Sequence, residues 1–189
     1  MINYAAYRKF VNLKNGKRVM LRFLNEQDLE GMIRLFQEAP EDDTRFLKQD
    51  VKDVRLIKSW VNNINYRKVL PLLAVDLENN QLIADATLHR GKHAAKHIGE
   101  VRIFVSRPYR NLGLGSIMLE ELINLAFKEG LMWLKAEIIA EHKKVIKAFQ
   151  AKKFEIRTML EDYFIRKDGV THDVVLMLRP VQKKEEAEF

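Results

Sequence analysis

Two arginines, Arg107 and Arg110, precede two glycines one residue apart, Gly113 and Gly115, in Val101-Arg102-Ile103-Phe104-Val105-Ser106-Arg107-Pro108-Tyr109-Arg110-Asn111-Leu112-Gly113-Leu114-Gly115. The first five residues read as a strand, and Leu114 opens a helix with Met118, Leu122, Ile123 and Ala126 facing inward. Glycines allow a tight turn and bring bare N–H groups against a ligand. The first N–H groups of a helix lack partners within it and point the same way, so the junction suits an anion such as a phosphate. Arg107 and Arg110 add positive charge at its lip. Taken alone, the stretch has one other reading, an ordinary strand-to-helix turn.

Two familiar phosphate loops do not fit. A dinucleotide fingerprint needs a third glycine where Met118 stands, and it belongs near the start of its domain rather than past the midpoint. A Walker loop needs Gly-Lys-Ser/Thr, which is missing. His89, His93 and His97 recur every fourth residue, a spacing that would suit a metal on a helix. Gly91 interrupts them and strands flank them, so a basic surface loop is expected and no metal.

The elements around this junction follow from periodicity. Val11–Lys14 and Arg18–Leu21 alternate around Asn15-Gly16, a hairpin signal. Asn25 can cap a helix that carries Leu29, Met32, Ile33 and Phe36 on one face and ends before Pro40. Glu41–Thr44 reads as loop, and a second helix after Asp50 buries Val54, Ile57, Val61 and Ile64. Strands are expected at Leu70–Asp76, Leu82–His89 and Ile98–Val105, then the helix Leu114–Glu129 ended by Gly130. A buried strand Trp133–Ile139, a helix Glu141–Lys152, and strands Phe154–Ile165 and Asp173–Leu178 complete the chain. Residues 181–189 read as a charged tail after a domain over 1–180.

At 189 residues the chain is of single-domain size, taking roughly 150 residues per domain. It has no cysteine, which excludes disulfides, thiolate metal sites and cysteine nucleophiles. No apolar run approaches the roughly 20 residues of a membrane span, and Met1–Arg8 lacks the apolar stretch of a signal peptide. The cytoplasm is the expected location, without a membrane partner. The net charge of +7 favours an anionic partner. A nucleic-acid binder should interleave a basic face with exposed aromatics, whereas here the charges are spread and most aromatics sit in apolar runs. No nucleic acid is expected, and a homodimer is allowed.

Arg110-Asn111-Leu112-Gly113-Leu114-Gly115 resembles the R/Q-x-x-G-x-G/A signature of the GNAT superfamily, the acyl-CoA-dependent N-acetyltransferases. The order of elements resembles that family from about Val11 to Pro180. The resemblance implies an α/β domain: a mixed, mostly antiparallel sheet of about seven strands flanked by four helices, with a splay between strands four and five. The pantetheine arm of acetyl-CoA would pair with the fourth strand near Phe104 and Val105. The pyrophosphate would sit on the N–H groups of Asn111, Leu112, Gly113, Leu114 and Gly115, with Arg110 at the lip and Ser116 nearby.

The reaction implied is acyl transfer from the thioester to an amine acceptor by direct attack. Such an amine, with a pKa near ~10.4, must first lose a proton. Glu100 is the carboxylate the resemblance offers as base, although Glu100 and Val105 lie an odd number apart and need a β-bulge to share a face. The alternative for Glu100 is a strand-face residue paired with Arg102. Aligning Phe154 with the family's N-x-x-A-I-x-x-Y-x-x-x-G-F puts His142 at the Asn position, where it would contact the acyl donor or simply lie exposed. Phe149 then replaces the Tyr that often protonates the thiolate, and Lys153 replaces the Gly. Tyr163 is another hydroxyl within this scheme. The competing reading is a catalytically weak acyl-CoA-binding module, favoured by Phe149.

Overall fold

A computed structural model describes residues 3–166 and 168–182. Most of the expected tail, at 183–189, lies outside the described residues. Eight strands form one mixed sheet: β1 (Lys9–Asn12), β2 (Arg18–Phe23), β3 (Val69–Asp76), β4 (Gln81–Arg90), β5 (Ile98–Val105), β6 (Trp133–Ile139), β7 (Glu155–Ile165) and β8 (Thr171–Pro180). Their order is β1-β2-β3-β4-β5-β6-β8-β7. The helices are α1 (Leu29–Gln37), α2 (Glu41–Thr44), α3 (Val54–Asn62), α4 (Leu114–Lys128) and α5 (Lys143–Ala151). The N-terminal hairpin counts as two strands, so strands four and five of the expected fold are β5 and β6.

The fifth helix is a correction. Glu41–Thr44 forms one helical turn where a loop was expected. Pro40 precedes three acidic residues there, the charge that a helix N-terminus favours. The other helix starts follow the sequence more closely. The Asn25 side chain accepts from Gln27 N–H, and Asn25 N–H donates to the Asp28 carboxylate, closing a capping box. α3, which follows Asp50 as expected, is capped by Asp53, whose side chain accepts from Arg55 N–H at 2.9 Å. Gly130, at φ +70°, ends α4, and the Leu131 N–H reaches back to the Ala126 carbonyl at 3.0 Å.

The chain forms two compact units, one comprising the chain to Leu88 with Arg102–Leu122, the other His89–Val101 and the chain from Ile123 onward. In the first unit, β1 and β2 pair antiparallel, as do β2 and β3, and α1 and α3 bury their apolar faces on the sheet. Met32, Phe36, Ile57, Val61, Leu73 and Phe104 meet there, with the Phe36 and Phe104 rings 5.2 Å apart. In the second unit, β6 pairs along its length with β8, from Trp133↔Pro180 to Ile139↔Val174. Its parallel register with β5 comprises Ile98↔Trp133, Gly99↔Leu134 and Glu100↔Lys135.

Candidate active site

The loop between β5 and α4 is fixed at several points within the first unit. Ser106 donates its N–H to the Ile83 carbonyl at 3.0 Å, and Arg107–Tyr109 make one 3-10 turn. The Tyr109 hydroxyl donates to the buried Asp76 at 2.6 Å, and Lys14 N–H donates to the Leu112 carbonyl at 3.1 Å. Burial would raise the Asp76 carboxyl, but the bonds from Tyr109, Glu78 N–H and Lys17 outweigh it and hold it below the usual value. Asn111 and Gly113 both have left-handed backbone, at φ +62° and +91°. These two reversals aim the chain into α4.

The bond from Ile117 N–H to the Gly113 carbonyl, at 3.0 Å, closes the first turn of α4. The N–H groups of Leu114, Gly115 and Ser116 precede it and have no acceptor one turn back in the helix. Leu114 buries its side chain, while Asn111 and Ser116 are exposed. A Cβ on Gly113 would come no nearer than 3.8 Å to another residue, so the sign of φ rather than crowding calls for glycine there. A Cβ on Gly115 would only touch Val105 Cγ2 at 3.9 Å. Packing within the chain does not require glycine at 115, whereas close approach of a ligand would.

The expected basic lip is partly neutralised. Arg107 Nε and Arg110 Nη1 each lie 2.9 Å from the Asp43 carboxylate, and Arg110 Nε donates to the Val105 carbonyl at 2.9 Å. Burial alone would raise the Asp43 carboxyl, but the guanidiniums of Arg110 and Arg107 outweigh it and hold it below the usual carboxylate value. Sequence reasoning missed this clasp. Glu41, Asp42 and Asp43 are adjacent acids, and nothing local says that only one reaches the loop.

The direction of the β5 backbone decides what Phe104 and Val105 can offer. The Gly91 N–H meets the Ile98 carbonyl at 2.9 Å, and this bond and the Ser106–Ile83 bond fit a single antiparallel register of β4 and β5. Even-numbered residues of β5 turn their N–H and C=O groups to β4, and odd-numbered residues turn theirs away. His97 confirms the parity in the second unit, its carbonyl accepting from Met132 and Trp133 at 2.9 and 3.2 Å. The Phe104 backbone is therefore committed to β4 and its ring to the core, while Ile103 and Val105 present backbone groups away from β4.

The equal offsets of the Gly91–Ile98 and Ser106–Ile83 bonds leave no net extra residue between them. Glu100 pairs with Lys135 Nζ at 3.0 Å, its cross-strand neighbour. Lys135 also meets Glu137 at 2.9 Å. Burial would lower the Lys135 ammonium, yet its bonds to Glu137 and Glu100 raise it overall.

His142 is exposed at the start of α5 and makes no side-chain cap there. Phe149 is buried against Phe154, with ring centroids 4.9 Å apart. Lys153 has left-handed backbone, at φ +63°. Tyr163 is half exposed on β7 and stacked on Phe164. His93 starts a 3-10 turn between β4 and β5, in the loop expected there.

Another residue missed by sequence reasoning is Asp85. It lies mid-strand in β4, keeps part of its surface exposed, and buries Oδ1 without a hydrogen-bond partner among the described residues. Burial pushes its carboxyl up to about 7. Its sequence signal was present, since aspartate is depleted in strand interiors and this one stands between Ala84 and Ala86.

The geometry can be set beside known proteins. The ribosomal-protein-S5-alanine acetyltransferase of Vibrio fischeri superposes with a TM-score of 0.77 at 15% identity, over 86% of this chain and 92% of that one. The ribosomal-protein-alanine N-acetyltransferase of Brucella melitensis gives 0.74 at 23% identity, over 85% and 98%. Salmonella typhimurium yncA, solved with its cofactor acetyl-CoA, gives 0.76 at 16% identity, over 90% and 98%. At these identities the likeness is one of fold. No helix among the described residues is long and apolar enough to cross a membrane. The sequence profile of the acetyltransferase (GNAT) family matches residues 29–154, so the chain belongs to the GNAT family of acetyltransferases, which are acyltransferase enzymes.

Proposed function

We propose that this protein transfers an acetyl group from acetyl-CoA to a primary amine of a small molecule or protein, by direct attack and in the cytoplasm. The observation that carries the reading is the entry into α4. Left-handed Gly113 aims the chain, Gly115 is a glycine that packing does not demand, and three helical N–H groups precede the first helical bond. An anion of pyrophosphate chemistry fits that arrangement. Asn111, Leu112, Gly113, Leu114, Gly115 and Ser116 would hold it, with Arg110 and Arg107 beside them.

The Val105 N–H, turned away from β4, would pair with the pantetheine arm or meet the carbonyl oxygen as it gains charge. Phe104 would act by packing, which refines the expected role for its backbone. In the same reading His142 is a further contact for the donor. Glu100 would have to leave Lys135 to serve as base. Phe149 offers no proton to the departing thiolate, which with a pKa near ~8.5 leaves acceptably well without one. Calorimetric titration with acetyl-CoA tests the reading, followed by thiol release with a panel of amines. Saturable binding is expected, and its absence in a folded protein overturns the assignment.

The Asp43 clasp makes its own prediction. Asp43→Asn removes a negative charge beside the phosphates, so acetyl-CoA should bind several-fold tighter at low salt. Its affinity should also fall more steeply with added salt than the parent's. Titrations at two or more ionic strengths check this, and equal slopes would remove Arg107 and Arg110 from phosphate recognition.

A further inference from the structure

The last strand of the sheet carries apolar surface that the described residues leave uncovered. β7 ends the strand order and pairs with β8 on one side. Ile156, Met159, Tyr163 and Ile165 on it, and Val170 in the turn that follows, all stand exposed. Elsewhere among the described residues the exposed large apolar side chains, Phe10, Leu77, Phe127 and Val145, sit one to an element or turn. Single exposed residues are ordinary on a protein surface, whereas a strip of them marks an interaction site.

The irregular register of β7 collects this surface on one face. Ile156 is opposite Met177, Met159 opposite Val175 and Ile165 opposite Thr171. Those three residues of β8 are an even number apart, and residues directly opposite share a face, so Ile156, Met159 and Ile165 lie together. An unbroken strand would have put Ile156 and Met159 on opposite sides. The register shift between Ile156 and Thr158 brings them round. A second shift follows between Leu160 and Phe164. Such bulges also break the outer hydrogen-bonding edge, which discourages open-ended strand addition. Side chains, rather than a backbone ladder, offer the contact.

We propose that this edge is the contact between two copies of the chain, β7 against β7, antiparallel about a two-fold axis. Such a contact needs a surface that complements itself. The two ends of β7 meet that condition. Reversal about the midpoint of the strand sets Ile156 beside the partner's Ile165, and Glu155 beside the partner's Arg166. Each contact occurs twice, once on either side of the axis. The match does not depend on the bulges, because both copies span the same distance between these ends, from Met177 to Thr171 along β8, or roughly 20 Å. Glu155 and Arg166 have in-chain partners at the surface, Arg157 and Asp168, and exposed pairs of that kind hold a side chain only weakly. A contact one strand long belongs at the small end of the interface range, below ~1,200 Å² in total, so monomer and dimer should exchange in the micromolar range.

Sedimentation velocity of the full chain over a concentration series should show the mass rising from that of one chain toward that of two. Ile165→Glu should stay a monomer throughout. With 72% of Ile165 exposed, its melting temperature in dilute solution should match the parent's, which separates lost association from lost folding. Glu155→Arg and Arg166→Glu should each weaken dimerisation by about tenfold, since the axis repeats every like-charge contact. Combined in one chain, the two changes should restore it, as the reversed pairing of these ends requires.

A parent that stays monomeric across the series overturns the proposal and leaves the strip to a different protein. Undiminished dimerisation in Ile165→Glu places the contact elsewhere and overturns it too. Charge variants that dimerise like the parent, or a double variant no better than the single ones, overturn the antiparallel pairing of β7 with itself.

Discussion

Gly113→Asp should abolish acetyl-CoA binding, with the dissociation constant rising by about 100-fold or more in calorimetric titration. Two effects act together. An L-residue at φ +91° is strained by roughly 1–2 kcal/mol, and the new carboxylate stands where helix N–H groups would meet the pyrophosphate. Gly113→Ala isolates the first effect, because space for a Cβ exists: its nearest neighbour would be Lys14 Cε at 3.8 Å. Alanine should lower the melting temperature while leaving most of the binding. If the aspartate variant folds and binds like the parent, the anion site lies elsewhere.

The largest effect on stability is expected from Asp28→Ala. Asp28 is buried and accepts from both Arg22 terminal nitrogens, at 2.5 and 2.7 Å, and from Asn25 N–H at 2.8 Å. Alanine would leave the mostly buried Arg22 guanidinium without its carboxylate and open the capping box ahead of α1. Breaking one side of such a pair costs about 3–5 kcal/mol. For a chain of this size that is a fall in melting temperature of about 10 °C, measurable by calorimetry. A fall below about 2 °C would show that Arg22 finds another acceptor and that the cap contributes little.

How much of this was legible in the sequence depends on whether local pattern or distant contact decided the outcome. β5 and β6 occur at the expected residues because each interleaves apolar and charged residues between clear ends. The inward face of α4 was equally readable, since Met118, Leu122, Ile123 and Ala126 recur with helical spacing and all are buried. The glycines of the loop could be placed because backbone sign is a local property. Asp43 could not be chosen from Glu41-Asp42-Asp43, because its partners lie more than sixty positions away. Glu100 and Val105 lie an odd number apart, which in a regular strand sets them on opposite faces. A bulge that would reconcile them depends on β4 bonds, which a single strand does not encode. Asp85 was readable as an anomaly in an apolar strand and was passed over because no motif contained it.

The shared register of β4 and β5 has a consequence for how this region can change over time. Alternation fixes which carbonyls and N–H groups of β5 point away from β4, so an insertion or deletion of one residue between Ile98 and Ser106 would exchange the two sets at once. Val105 would turn its N–H into the sheet, and Phe104 would lose its place against Phe36. Replacing side chains along the strand disturbs one contact each. The count of residues between those two bonds is therefore under tighter constraint than most of their identities, and natural variants should differ here by substitution rather than by length.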